Sequence, residues 1–231
     1  MTICRAALDT SCNACLAVQL DGDVAVNATL STRDRDTDAL LVPWIVETLS
    51  SADLALPDIE EWIVGVGPGS YSGIRTGIAV VRGVCRGTGA RRFGCASSLA
   101  LARQALPRCA EGDRIAVVHD ARRQQVIVSR YQVRDSQAVP LDEPEAIPFD
   151  QAIQEAPAWA AAVTPHGDRI ADFATRLETA TRLLGADHVD AREFLRAGLV
   201  PPASAPETEA SLEPLYVRPA VFVPPAPIRK V

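Results

Sequence analysis

Aromatic residues are scarce: three Trp, three Tyr and five Phe in 231 residues, with one methionine. Whatever core forms must therefore be built mainly from Ala, Val, Leu and Ile. Histidine occurs three times, at His119, His166 and His188, and no two stand at the i, i+4 spacing that puts paired imidazoles on one helix face to hold a metal ion. No apolar run approaches the ~18 residues of a membrane span. The opening "MTICRAALDTSCNACLAV" is broken by Arg5 and Asp9, where a secretory signal keeps an unbroken apolar stretch. A cytoplasmic protein without membrane association is expected. Positive charge is also in deficit. A net charge of -6 and a pI of about 5.1 oppose a chain that grips nucleic acid by itself, although a local basic patch stays compatible with those totals.

The six cysteines do not read as a disulfide framework, because Cys4, Cys85 and Cys95 sit inside apolar periodic segments. Cys12 and Cys15 form a C-x-x-C, but no second Cys or His pair follows at zinc-finger spacing. No metal site is expected.

The first 31 residues read as three strands, "ICRAALDT", "ACLAVQL" and "VAVNATL", the last two joined at Asp21-Gly22-Asp23. "DALLVPWIVETL" has helical spacing, and "WIVGVG" is a short buried strand. A glycine-rich stretch leads into a helix, then a short strand "RRFGC" runs into Ser97-Ser98, one of which is expected to cap the helix "LALARQAL". Strands follow at "RIAVVHDA", "QQVIVSRYQV" and "QAVPL", with a turn at Asp135-Ser136. "FDQAIQEA" reads as a helix, "AWAAAVTP" as a strand, "IADFATRLETATRLLG" as a helix reaching Gly185, and "AREFLRAGL" as a last short helix. The order of the first half returns in the second. The expected fold class is α/β, two lobes with mixed sheets, residues 1–105 and 106–231, the latter with a Pro-rich linker over 201–211 and a mobile tail.

"GVGPGSYSGIRTGIAVVRGVCRG", from Gly65 to Gly87, holds seven glycines between strand and helix, the usual place for a phosphate cradle. It matches neither phosphate motif: Ile74-Arg75 follow Gly73 where a P-loop needs Lys and Ser/Thr, and Gly65-x-Gly67 runs on to Ser70. At 100° per residue Gly73, Ile74, Gly77, Ile78 and Val81 share one apolar arc. Mid-helix glycine costs about 1 kcal/mol against alanine, so close approach of another backbone is the expected compensation. That backbone belongs either to the same lobe or to a partner subunit. Arg75, Arg82 and Arg86 fall on the opposite face, either as a solvated stripe or as a contact for phosphate or acid.

Five pieces occur in one order: "LDTSCNACLAV" (8–18), "GVGPGSYSGIRTGIAVVRGV" (65–84), "CASSLALA" (95–102), "DARRQQV" (120–126) and "PLYVR" (214–218). Together they resemble the TsaB (YeaZ) family, partner subunits in bacterial synthesis of tRNA threonylcarbamoyladenosine (t6A). The resemblance implies two actin-like (RNase-H-like, ASKHA) lobes. It implies a non-catalytic scaffold or activator that dimerises with the catalytic paralogue TsaD, with the ATPase TsaE as a third member, for threonylcarbamoyl transfer to the adenosine beside the anticodon. On that footing no cofactor is expected on this chain alone, ATP and a divalent metal belong to partner subunits, tRNA is met through the complex, and a homodimer forms in the partner's absence. The family's interface helix carries over to Tyr71, Ile74, Arg75, Ile78 and Arg82, joined by Gly73, Gly77 and Val81 of the glycine-bearing face. Members often carry a His before "LLP"; here Thr37 precedes "DALLVP", so no polar role is carried to it.

Actin-like kinases meet phosphate and metal at the first hairpin. Asp9, Thr10 and Ser11 keep the acid and hydroxyls, but the following Cys12-Asn13-Ala14-Cys15 supplies neither acid nor glycine. Two expectations stay open for this hairpin: weak nucleotide contact, or an Asp9 carboxylate spent on backbone amides. The alternative function is an independent actin-like ATP-dependent enzyme or a glycoprotease-type peptidase, although "CASS" lacks the G-x-S-x-G elbow.

Overall fold

A computed structural model describes residues 3–30, 37–165, 170–186, 188–196 and 212–217. The first sheet is built from β1 (Arg5–Asp9), β2 (Ala14–Leu20), β3 (Asp23–Leu30), β4 (Glu61–Gly65) and β5 (Arg91–Cys95), in the order β3-β2-β1-β4-β5. β1 pairs antiparallel with β2 and parallel with β4. Asp21 and Gly22 take left-handed conformations (φ 54° and 92°), as a tight hairpin requires, so β3 folds back on β2 at the expected residues.

The second sheet repeats the plan with β6 (Arg114–Asp120), β7 (Gln125–Arg134), β8 (Gln137–Pro140), β10 (Ala161–Pro165) and β11 (Leu183–Ala186), in the order β11-β10-β6-β7-β8. Its hairpin turns at Asp135 and Ser136, again as expected (φ 50° and 58°). A strand not anticipated, β9 (Glu145–Pro148), pairs with β7; four residues ending at a proline carry almost no alternation to read.

Helices α1 (Thr37–Ser50) and α2 (Tyr71–Thr88) lie side by side on the outer face of the first sheet. Leu41, Ile45 and Leu49 of α1 and Ile74, Ile78 and Val81 of α2 are buried with Leu8, Leu16 and Trp62. Each such side chain contributes about 1.5–3 kcal/mol. The outer face of the second sheet is covered by α4 (Phe149–Glu155) and α5 (Ala171–Glu178), through Ala152, Phe173 and Leu177. Between the sheets lie α3 (Ser97–Ala105) and α6 (Arg192–Leu195), exchanged: α3 follows the first sheet but packs on β6 and β8, while α6 follows the second and packs on β1 and β2. Leu101, Val117, Tyr131 and Phe194 thus share a core with Ala7 and Ile63. Residues 212–217 return to the first lobe, with Leu212 buried there and the Leu215 N–H donating to the Val66 carbonyl at 2.8 Å.

Two expectations are corrected. The helix read through to Gly185 ends at Glu178, and Leu183–Ala186 is a strand pairing in parallel with β10. Neither Ser97 nor Ser98 caps α3; Ala96 holds that position, and both hydroxyls are drawn inward, Ser97 to Asp9 and Ser98 to the Tyr131 hydroxyl at 2.8 Å. The linker over 201–211 and the tail lie outside the described residues, as does His166. Among the described residues no helix is long and apolar enough to cross a membrane.

One buried charge holds the three parallel strands of the first sheet in register. Glu61 on β4 is 1% exposed, and the register aligns it with Arg5 on β1 and Arg91 on β5. Arg5 Nε donates to Oε2 at 2.6 Å, and the Arg91 guanidinium pairs with Oε1. Removing both cations (R5A/R91A) is expected to cost roughly 3–5 kcal/mol, because the carboxylate stays buried and unpaired. Replacing all three by Met and Leu of similar volume should recover most of that loss in urea unfolding.

Candidate functional site

The glycine turn after β4 serves the chain's own hairpin. Ser70 donates its N–H to the Ser11 carbonyl at 2.7 Å, and its hydroxyl accepts from the Gly73 N–H at 3.3 Å, capping α2. Thr10 Oγ1 donates to the Gly73 carbonyl at 2.7 Å. A Cβ on Gly73 would collide with the Thr10 carbonyl oxygen, and one on Gly77 with the Thr10 side chain. The compensating close approach is therefore intramolecular.

Asp9 ends β1 with no exposed surface. Its Oδ1 accepts from the Ser11 N–H (2.9 Å) and hydroxyl (2.6 Å), and its Oδ2 accepts from Ser97 Oγ (2.5 Å). Ser97 Oγ in turn accepts the Gly67 N–H at 3.1 Å, so one carboxylate ties β1 to the glycine turn and to α3. Gly65 closes over it, since a Cβ there would strike Oδ2. Burial pushes the Asp9 carboxyl above its ordinary range, against the opposing pull of the hydroxyl and amide donors.

A cleft of about 430 Å³ opens between the lobes. Ser11, Cys12, Tyr71, His119, Asp120 and Tyr216 are among its lining residues; Asp9 and Thr10 are not. Of the three residues expected to touch a nucleotide, only Ser11 reaches this space, because Asp9 is sealed beneath Gly65 and Thr10 is turned to α2. On the far wall, Arg122 pairs with Asp120 at 3.2 Å. Arg122, Arg123 and Gln124 hold three successive left-handed conformations (φ 64°, 52° and 58°), a strained hairpin tip at the mouth of the cleft.

The residues expected at a partner interface separate into two groups. Ile74, Gly77, Ile78 and Val81 are buried in their own lobe, and Gly73 is pressed on Thr10, so these five are not a free surface. Tyr71, Arg75 and Arg82 are exposed. Arg75 donates to the Tyr71 hydroxyl at 2.6 Å with its guanidinium 5.0 Å from the ring centroid, and Tyr216 stacks on Tyr71 at 5.0 Å. Beside them, α2 exposes Ala79 and Gly83, and nothing lies within 4 Å of a Cβ at Gly83. The neighbouring α1 exposes Leu40, Val42 and Val46 at 46%, 45% and 43%. These three went unread because "ALLVPWIV" is apolar all round, and such a helix shows no outer face.

His119 is buried on β6 and His188 is half-buried ahead of α6. Among the described residues no three His, Cys, Asp or Glu side chains converge as metal ligands. None of the six cysteines is in a disulfide, and burial pushes the Cys15 thiol well above its ordinary value.

The sequence matches the family described as "TsaD: tRNA N6-adenosine threonylcarbamoyltransferase" over residues 32–201, well over half of the chain. It is similar to the tRNA threonylcarbamoyladenosine biosynthesis protein TsaB of Escherichia coli, 29% identical over 149 residues; the match spans 64% of each chain. An uncharacterized protein of Mycobacterium tuberculosis is 34% identical over 91 residues, 39% of this chain and 40% of its own length. Two solved structures share the fold. YeaZ from Pseudomonas aeruginosa superposes with a TM-score of 0.66 at 20% identity, covering 84% of this chain and 89% of its own. A protein described as similar to peptidase YEAZ from P. aeruginosa gives 0.72 at 21%, covering 94% and 100%. The resemblance to TsaB/YeaZ proteins and the two-lobed actin-like fold it implied are both borne out.

Proposed function

This chain belongs to the TsaD family, tRNA N6-adenosine threonylcarbamoyltransferase, and from that membership we propose that it is a docking and activating subunit of t6A synthesis, not the catalyst. The observation that carries the reading is the outer face of α1 and α2. Val42 and Val46, one turn apart, are exposed apolar side chains of α1, Leu40 is exposed on the same helix, and the neighbouring α2 exposes the small residues Ala79 and Gly83 together with Arg75 and Arg82. Uncovered large apolar side chains on adjacent helices are the kind that an association partner covers. Small residues let a second helix approach closely, and edge arginines set register against acidic side chains. The occupant is the catalytic paralogue TsaD, which as a relative brings its own helix pair to the contact. A second copy of this chain fits the same face by two-fold symmetry when TsaD is absent. TsaE joins the assembly, and the ATP and divalent metal of the chemistry lie in the partner subunits. Against independent kinase-like chemistry stands Asp9, whose carboxylate is committed to Ser11 and Ser97.

Val46→Asp, alone or with Leu40→Asp, tests this. Both positions are exposed, so the isolated chain should melt within about 0.5 kcal/mol of the unaltered one. Affinity for TsaD in titration calorimetry should fall by more than about tenfold, since a charge enters the centre of the contact. Undiminished affinity removes the docking reading. Undiminished t6A formation from purified components with this chain omitted removes the activating role.

A further inference from the structure

A second hollow, of about 350 Å³, lies between the C-terminal end of α3, the β10–β11 pair and α6. Arg103 lines it at 5% exposure, donating to two uncharged acceptors, the Glu193 carbonyl at 3.1 Å and Gln137 Oε1 at 2.7 Å. Arg108, also lining it, is exposed, and the exposed Arg182 donates to the Arg108 carbonyl at 3.1 Å. On α6 and the residue that follows, Arg192 pairs with Asp190 at 2.6 Å and Arg196 with Glu193 at 2.9 Å.

The charges are sorted by depth. The Asp190 and Glu193 side chains are 17% and 7% exposed, whereas those of Arg192 and Arg196 are 51% and 57% exposed. Burial pushes the Glu193 carboxyl above its ordinary range, against the opposing pull of Arg196 and Arg103. Asp113 is a third carboxylate in reach, since it and Arg182 act in opposite senses on the Cys109 thiol. Among the described residues, five guanidinium groups therefore stand with three carboxylates, two of them recessed, on a chain whose net charge is -6. The exposed charged groups described at this rim, Arg108, Arg182, Arg192 and Arg196, are cations, where the molecule as a whole is negative.

We propose that the rim formed by Arg108, Arg182, Arg192 and Arg196 over Arg103 is an RNA contact surface that takes backbone phosphates of the tRNA. The choice of tRNA rests on the proposed role in t6A synthesis; the phosphate chemistry rests on the rim itself. Planar guanidinium forks bind phosphate oxygens bidentately, and a polyanion can span several of them at once. The assembly then holds its substrate partly through this subunit as well as through the catalytic one.

The test titrates the full chain, without partners, into fluorescently labelled unmodified tRNA transcript and follows anisotropy between about 50 and 200 mM salt. R108A/R182A should bind roughly tenfold more weakly at the lower salt, with the log–log salt slope reduced by about 2. R86A, in the exposed last turn of α2, should leave affinity and slope unchanged. If the double variant loses its thermal transition, R108Q alone is expected to reduce the slope by about 1. An unchanged slope and affinity in the charge-removed variants overturns the proposal. So does binding of the unaltered chain to polyglutamate or to phosphatidylserine vesicles as tight as its binding to tRNA. No partner and no modification chemistry enters this measurement, so its failure leaves the α1–α2 docking reading intact, and failed docking by the Val46 variant leaves this one intact.

Discussion

Alanine at Gly73 is expected to lower the stability of the isolated chain by roughly 3 kcal/mol, while alanine at Gly83 on the same helix raises it by about 0.5–1 kcal/mol. The two positions share a residue type and a helix and differ only in what stands opposite. At Gly73 the added methyl meets the Thr10 carbonyl oxygen, a backbone atom that cannot rotate away. Relief requires lifting α2 off the hairpin, which breaks the Thr10–Gly73 and Ser70–Ser11 hydrogen bonds together. At Gly83 the methyl meets nothing within 4 Å, and the helix gains the ordinary preference for alanine. Urea unfolding followed by far-ultraviolet circular dichroism reads both. Were Gly73 facing a partner, the lone chain would tolerate its alanine as well as it tolerates the one at Gly83, and equal behaviour of the two variants would refute the intramolecular fit.

The contrast marks how far the sequence could be read. Periodicity placed Gly73, Gly77, Ile74, Ile78 and Val81 on one arc, and the structure keeps Gly77 and the three aliphatics buried together with Gly73 against the same lobe. Which backbone that arc meets is a tertiary fact, since Thr10 lies 63 residues from Gly73. The same limit explains β11: Leu183–Ala186 continues an apolar pattern that suits a helix until β10, about twenty residues earlier, offers an open strand edge. It also explains Ser97, a good cap by its neighbours and a buried donor to Asp9 by its fold. Hairpins set by left-handed Asp-Gly and Asp-Ser turns were legible because their determinants are local. The face proposed for docking was only half legible. Arg75 and Arg82 stood out on the polar face of an amphipathic helix and Tyr71 came only from the family resemblance, but α1, apolar on every side, gave no contrast by which Leu40 and Val46 could be told from Leu41 and Ile45.

Asp9 carries the other large effect. Asp9→Ala removes the acceptor for three hydrogen bonds in a site without solvent, leaving the Ser11 N–H and two hydroxyls to find other partners, and should cost about 3 kcal/mol or more. Asp9→Asn keeps a carbonyl oxygen for the Ser11 donors and turns an amide toward Ser97 Oγ, so its cost at low pH should be much smaller. The two variants also differ in how they respond to pH. Burial raises the folded-state carboxyl above the ~3.9 of an unfolded chain, so the folded protein holds its proton longer than the unfolded one. Below ~3.9 both states are protonated and the contribution to stability is fully present. As pH rises from there to the folded value, the unfolded chain ionises first and stability falls; above the folded value both are ionised and the loss is complete. Each tenfold increase in proton affinity on folding corresponds to about 1.4 kcal/mol. Asparagine does not titrate, so the stability of Asp9→Asn relative to the unaltered chain should climb across that window and then level off, whereas a constant difference between pH 3.5 and 7 would mean that Asp9 ionises as easily inside the fold as outside it.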